Sequence, residues 1–222
     1  MTVIVGLVHH GAVHIGGDSA GVAGYDLTIR ADHKVFANGP YLFGFTSSFR
    51  MGQLIRFALT PPEPHGDLDR FMVTEFIDAI RDCLKAGGFA KKDNEQEEGG
   101  CFLVGIQGRL FKVDDDYQVG ESLDGYTAAG CGEATALGAL YATTDRMAPT
   151  RRVEIALKAA ERFSAGVRGP FIIRSLPALA APAPAAEPEP ASTAELASTA
   201  EPAAAETATA STAAAESAAA EH

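Results

Sequence analysis

The 222-residue chain predicts an α+β domain followed by a disordered tail, on three observations. Short β-branched and aromatic runs cluster at the start and in the middle. Two pairs of helical patterns stand between and after them. Beyond Pro177 the chain is almost entirely Ala, Pro, Glu, Ser and Thr. Strands, two helices, more strands, two helices and a closing strand suit sheets packed against helix layers.

Residues 2–8 (TVIVGLV) and 12–17 (AVHIGG) are apolar and β-branched around His9-His10-Gly11, which reads as a hairpin turn. With His10 and Gly11 as the central turn residues, Asp18 lies opposite Val3 and Ser19 opposite Thr2. A Gly-rich connection leads to a third run, His33-Lys34-Val35-Phe36, and then to Tyr41–Phe45. Residues 50–58 predict a helix, 60–67 a Pro-rich loop, and 68–86 a helix whose apolar face carries Phe71, Phe76, Ile77 and Ile80. Glycines and charges over 87–100 predict a loop. Residues 101–106 and 110–113 predict a hairpin around Gln107-Gly108-Arg109, and 126–130 a further strand. Helices are expected at 133–143 and 151–164, and a last strand at 170–174.

From Pro177 onward there is no aromatic residue, the pentapeptide ASTAE occurs twice (191–195 and 197–201), and five prolines from Pro182 to Pro202 interrupt any helix. Such a segment buries too little apolar surface to fold, so residues 177–222 are expected to be disordered and 1–176 to form one domain. The tail holds seven of the glutamates and no Lys or Arg, leaving only −4 of the net −11 charge on the domain. That modest acidity argues against nucleic-acid binding. No run reaches the ~20 apolar residues of a membrane span, and the N-terminus lacks a signal peptide's basic region, so a soluble cytoplasmic protein is expected. Cys83, Cys101 and Cys131 are widely spaced with no CxxC pair, as reduced thiols are.

The chemistry concentrates at the start. Methionine is trimmed when a small residue follows, and loss of Met1 gives Thr2 a free α-amine on the carbon next to its hydroxyl, a nucleophile and its base in one residue. Hairpin geometry brings the Asp18 carboxylate beside Thr2, and Lys34 opens a nearby strand. In this arrangement Asp18 holds Lys34 charged, Lys34 lowers the cost of ionising groups around Thr2, and the α-amine, with a pKa near 7.7, takes the hydroxyl proton. Without Thr2, Asp18 and Lys34 read as an ordinary surface ion pair.

These residues resemble a known family. Thr2, Gly17-Asp18-Ser19 and Lys34-Val35-Phe36 look like the Thr, Asp and Lys positions of proteasome β-subunits and the bacterial HslV peptidase, both N-terminal nucleophile hydrolases. Residues 41–48 (YLFGFTSS) resemble the strand and turn whose amides form that family's oxyanion hole. Gly130-Cys131-Gly132 with the following ALGAL (136–140) is similar to its Gly-Ser-Gly strand end and helix. The resemblance covers roughly residues 2–176. It implies a four-layer αββα sandwich, main-chain amides around Ser47 and Ser48 as oxyanion donors, and supporting roles for Cys131 and Ser164. It also implies a threonine endopeptidase that hydrolyses peptide bonds of peptides or unfolded proteins, a homo-oligomeric ring, and an ATPase unfoldase as candidate partner.

The chain departs from the family in two places. Cys131 replaces the family's serine, a weaker hydrogen-bonding group. Phe163 stands where the family carries an aspartate in Asp-Ser-x-x-Gly. Two other readings therefore stay open, a small-molecule amide hydrolase of the same chemistry and a non-catalytic structural subunit. His9, His10 and His14 have no acidic partner placed by sequence, Asp114-Asp115-Asp116 reads as a solvated turn, and no nucleotide-binding glycine pattern is complete, so neither metal nor cofactor is expected.

Overall fold

The computed structural model describes residues 1–89, 91–93 and 96–178. The expected disordered tail falls almost wholly outside these residues. Strands β1 (Val3–His9) and β2 (Ala12–Gly17) form the predicted hairpin, with Ile4 opposite Gly17. They are followed by β3 (Ala20–Ala23), β4 (Asp26–Ile29), β5 (Val35–Asn38) and β6 (Tyr41–Phe45). Helices α1 (Phe49–Phe57), α2 (Leu68–Phe71) and α3 (Ile77–Ala86) come next, with a π-helical turn, Met72–Phe76, joining the last two. Strands β7 (Lys91–Asp93), β8 (Gln96–Glu98), β9 (Phe102–Ile106), β10 (Arg109–Val113), β11 (Val119–Glu121) and β12 (Tyr126–Gly130) lead to α4 (Glu133–Tyr141), α5 (Pro149–Phe163) and β13 (Ile172–Leu176).

Three expectations need correction. The Gly-rich connection after β2 is a two-stranded ribbon, β3–β4, in which Ala20 faces Ile29 and Val22 faces Leu27. The expected loop at 87–100 contains the β7–β8 hairpin. The long helix at 68–86 passes through a π turn, which the same apolar spacing permits because one inserted residue shifts the face without changing its composition.

The larger strands form two antiparallel sheets, β12-β1-β2-β13 and β11-β10-β9-β6-β5. Period-two alternation gives each strand two destinations. In β1, Val3, Val5 and Leu7 pack with Ala136, Leu140, Val153 and Leu157 of α4 and α5. Ile4 turns the other way and joins Val13, Ile15, Val35, Leu42, Leu103 and Leu110 in a cluster drawn from both sheets. A third cluster sets Phe43, Phe45, Phe102 and Phe111 against Met51, Ile55, Phe76 and Ile80 of the α1–α3 segment. Each fully buried aliphatic or aromatic side chain contributes roughly 1.5–3 kcal/mol relative to exposure. The mixed cluster is tight because glycines face it from both sheets. A Cβ on Gly6 would lie 2.7 Å from Leu110, and one on Gly105 would lie 2.6 Å from Val13.

Candidate active site

Thr2 precedes β1 in one sheet, and Lys34 precedes β5 in the other. Asp18 follows β2 and lies across the hairpin, its N–H donating to Val3 O at 3.4 Å. The three side chains converge although they flank different strands. Thr2 Oγ1 donates to Asp18 Oδ1 and accepts from Lys34 Nζ, which also lies 2.7 Å from Asp18 Oδ1. Exposure is 2%, 2% and 3% for Thr2, Asp18 and Lys34, so none of the three charges or dipoles is solvated in the ordinary way.

A buried carboxylate needs its lone pairs occupied. Three main-chain amides serve Asp18 beside Lys34: Val3 N–H at 3.2 Å on Oδ1, and Ala20 and Arg168 N–H at 3.0 and 3.2 Å on Oδ2. Burial lowers the pKa of Lys34, while the adjacent Asp18 charge and hydrogen bond oppose that shift. Its ammonium lies 5.6 Å from the centre of the Phe49 ring, whose face also carries the Arg30 guanidinium at 3.9 Å. Arg30 is held in turn by a two-point contact with Asp32 at 2.6 and 2.7 Å.

With Met1 in place, Thr2 N is a peptide N–H that donates to Cys131 Sγ at 3.3 Å. Removal of Met1 turns that nitrogen into the α-amine. Cys131 reaches it because Gly130, at φ 98, ends β12 in a conformation where a Cβ would strike Thr2 O at 2.4 Å. Cys131 Sγ also contacts Thr2 O and Ser164 Oγ, each at 3.3 Å. Ser164 sits just past the end of α5, and Phe163, at the family's aspartate position, is 78% exposed and points no acid at the site.

Thr2 and Lys34 open onto a cleft of about 60 Å³ lined by Ala20, Val22, Phe45, Thr46, Ser47 and Ser48. Both serine hydroxyls are engaged elsewhere. Ser48 Oγ caps α1 by accepting from Arg50 N–H at 3.1 Å, and Ser47 Oγ accepts from Cys101 N–H at 3.0 Å. Of the seven residues singled out in the sequence, Thr2, Lys34, Ser47 and Ser48 line the cleft, Asp18 bonds Thr2 and Lys34 behind it, and Cys131 contacts Thr2 N with Ser164 beside it. The amides of Arg168 and Ala20 and the Phe49 ring were not anticipated. The amides carry no side-chain signature, and an aromatic at a helix start is ordinary core chemistry. Among the described residues, no group of His, Cys, Asp or Glu is placed to hold a metal, and no helix is long and apolar enough to cross a membrane.

The chain matches no protein-family model and no curated protein. It is similar to solved structures. BPH from Thiobacillus denitrificans superposes with a TM-score of 0.63 at 18% identity, covering 78% of this chain and 97% of BPH. The same protein in complex with epoxomicin gives 0.64 at 19% identity, over 78% and 97% of the two chains. HslV from Trypanosoma brucei gives 0.57 at 17% identity over 78% of this chain and 98% of its own. The ancestral beta-subunit Anbu from Yersinia bercovieri gives 0.57 at 15%, over 79% and 82%. The chain thus has the fold of the HslV-like and proteasome-like N-terminal nucleophile hydrolases.

Proposed function

We propose that the protein is a threonine peptidase that uses Thr2 after removal of Met1. The carrying observation is the buried hydroxyl of Thr2, bonded at once to Lys34 Nζ and Asp18 Oδ1 at the mouth of a cleft. Thr2 Oγ1 attacks the scissile carbonyl and its own α-amine takes the proton. Lys34, held by Asp18, favours the developing alkoxide, and the main-chain N–H of Ser47 receives the oxyanion, that of Ser48 being bonded to Thr46 O. The α-amine then protonates the leaving amine, and water hydrolyses the acyl-threonine ester. Cys131 and Ser164 hold the α-amine in place through the 3.3 Å contacts at Thr2 N and between their side chains.

The three apolar clusters support a four-layer αββα arrangement, helices outside and sheets inside, for a domain spanning 1–176, with 177–222 as an appended tail. The substrate class is peptides or unfolded proteins. The working form is a homo-oligomeric ring in the cytoplasm, and an ATPase unfoldase is the candidate partner. Likeness in fold to an ancestral beta-subunit supports the subunit reading. The structure of BPH with epoxomicin supplies the probe. A second reading, a non-catalytic subunit, is favoured by the exposed phenyl of Phe163 where the family has an acid.

Intact mass of the purified chain, with and without epoxomicin, separates the two. The expected result is loss of Met1 and one adduct, absent in Thr2→Ala. A retained Met1 or an unmodified wild-type chain sinks the peptidase reading.

A further inference from the structure

The turn between β6 and α1 contains a hydrogen bond that the chemistry above leaves unused. Strands β6 and β9 pair so that Phe45 faces Phe102, which puts Thr46 opposite Cys101. Thr46 N–H donates to Cys101 O at 3.1 Å. In such an antiparallel pair the second bond normally returns from Cys101 N–H to Thr46 O. Here it does not: Ser48 N–H takes Thr46 O at 2.7 Å, and Cys101 N–H goes to Ser47 Oγ at 3.0 Å. The hydroxyl stands in for the carbonyl that the strand gives up.

The substitution lets the chain leave the sheet in a conformation that serine rarely adopts. Ser47 has φ 63, in the left-handed region, which is costly for a residue with a Cβ. Gly100 makes room for it: a Cβ there would lie 3.0 Å from Ser47 Cβ and 3.2 Å from Ser47 Oγ. The two amides of the turn then differ. Ser48 N–H is used inside the turn, whereas Ser47 N–H has no acceptor among the described residues, and Ser47 lines the cleft beside Thr2.

We infer that Ser47 is a positioning residue whose hydroxyl, by replacing the Thr46 carbonyl in the β6–β9 ladder, holds the left-handed turn that keeps the Ser47 N–H available as the oxyanion donor. The inference rests on the threonine peptidase reading. Without the hydroxyl, Thr46 O returns to Cys101 N–H, Ser48 N–H loses its acceptor, and the turn relaxes away from the cleft. Alanine keeps the Cβ that makes the turn costly and lacks the clamp. Glycine lacks the clamp too, but holds a left-handed φ without needing it.

The test compares Ser47→Ala and Ser47→Gly in the full chain by peptide hydrolysis and by amide exchange at Cys101. Misaligning one oxyanion donor is expected to lower kcat about tenfold or more in Ser47→Ala, with KM within about twofold. Ser47→Gly is expected to recover most of that loss. Cys101 exchange is expected to be at least about fivefold faster in Ser47→Gly, where the turn is kept and the amide has no acceptor, and near the wild-type rate in Ser47→Ala, where Thr46 O takes the amide back. The inference is overturned by Ser47→Ala with wild-type kcat, by Ser47→Gly as slow as Ser47→Ala, or by unchanged Cys101 exchange in Ser47→Gly. A wild-type chain that forms no epoxomicin adduct indicts the peptidase reading instead, and Cys101 exchange still decides whether the clamp exists.

Discussion

Lys34 Nζ donates a hydrogen bond to Thr2 Oγ1 from the mouth of a strand in the opposite sheet. Two titrations follow from this pairing once Met1 is gone. The acid limb of kcat/KM should follow the α-amine, near pH 7.7, which must be unprotonated to act as base. The alkaline limb should follow Lys34. Because burial lowers its pKa, the proton leaves below the ordinary lysine value of 10.5, and activity should decline below that pH. A pH–rate profile checks both limbs, and Lys34→Met should abolish turnover at every pH.

Asp18→Asn should damage both stability and rate. The carboxylate accepts from Lys34 and from three main-chain amides, whereas an asparagine offers one acceptor oxygen and turns an N–H₂ toward the remaining donors. A stability loss of about 2–4 kcal/mol is expected, because the Lys34 charge is left buried and unpaired. Urea denaturation measures that loss, and single-turnover acylation should slow by at least about a hundredfold.

Thiol reagents should find Cys131 first. It is exposed, whereas burial raises the Cys83 thiol and pushes that of Cys101 up to about 12. An alkyl group on Cys131 Sγ, 3.3 Å from Thr2 N, would fill the space around the α-amine. Under the proposed function, iodoacetamide should therefore abolish peptide hydrolysis in step with labelling of Cys131, as followed by peptide mapping. Cys131→Ser should keep activity within about threefold, since a hydroxyl bonds the same partners, and should resist the reagent.

The first hairpin was legible because its register follows from a two-residue turn, and once it is set Asp18 must lie near Thr2. The β3–β4 ribbon was not legible. Asp26–Ile29 is exposed along its whole length, so no buried face imposes alternation. The β7–β8 hairpin is built from charged and polar residues alone, so its letters carry no apolar alternation to read. At the site, side chains announced themselves but amides did not. Any residue supplies an N–H, so nothing in the letters at Arg168 or Ala20 marks them as partners of Asp18.

His14 makes stability depend on pH. Its Nδ1 lies 2.7 Å from Ser175 Oγ, and burial, then the neighbouring His9, lowers its pKa below 6.5. The unfolded chain therefore binds the proton more readily. The stabilisation from neutral His14 is complete above pH 6.5 and is lost as pH falls through the lowered native value. The melting temperature should drop between pH 7 and 5, and His14→Gln should flatten part of that slope.

Thr2 hangs from one sheet and Lys34 from the other, so the contact between them is only as constant as the alignment of the two sheets. Leu110 of one sheet enters the notch at Gly6, and Val13 of the other enters the notch at Gly105. Pegs set in both directions resist sliding either way, much as dowels register two halves of a mould. These four residues thereby hold Thr2 in alignment with Lys34. A methyl group added at Gly105 should be felt as a slower reaction as well as a lower melting temperature.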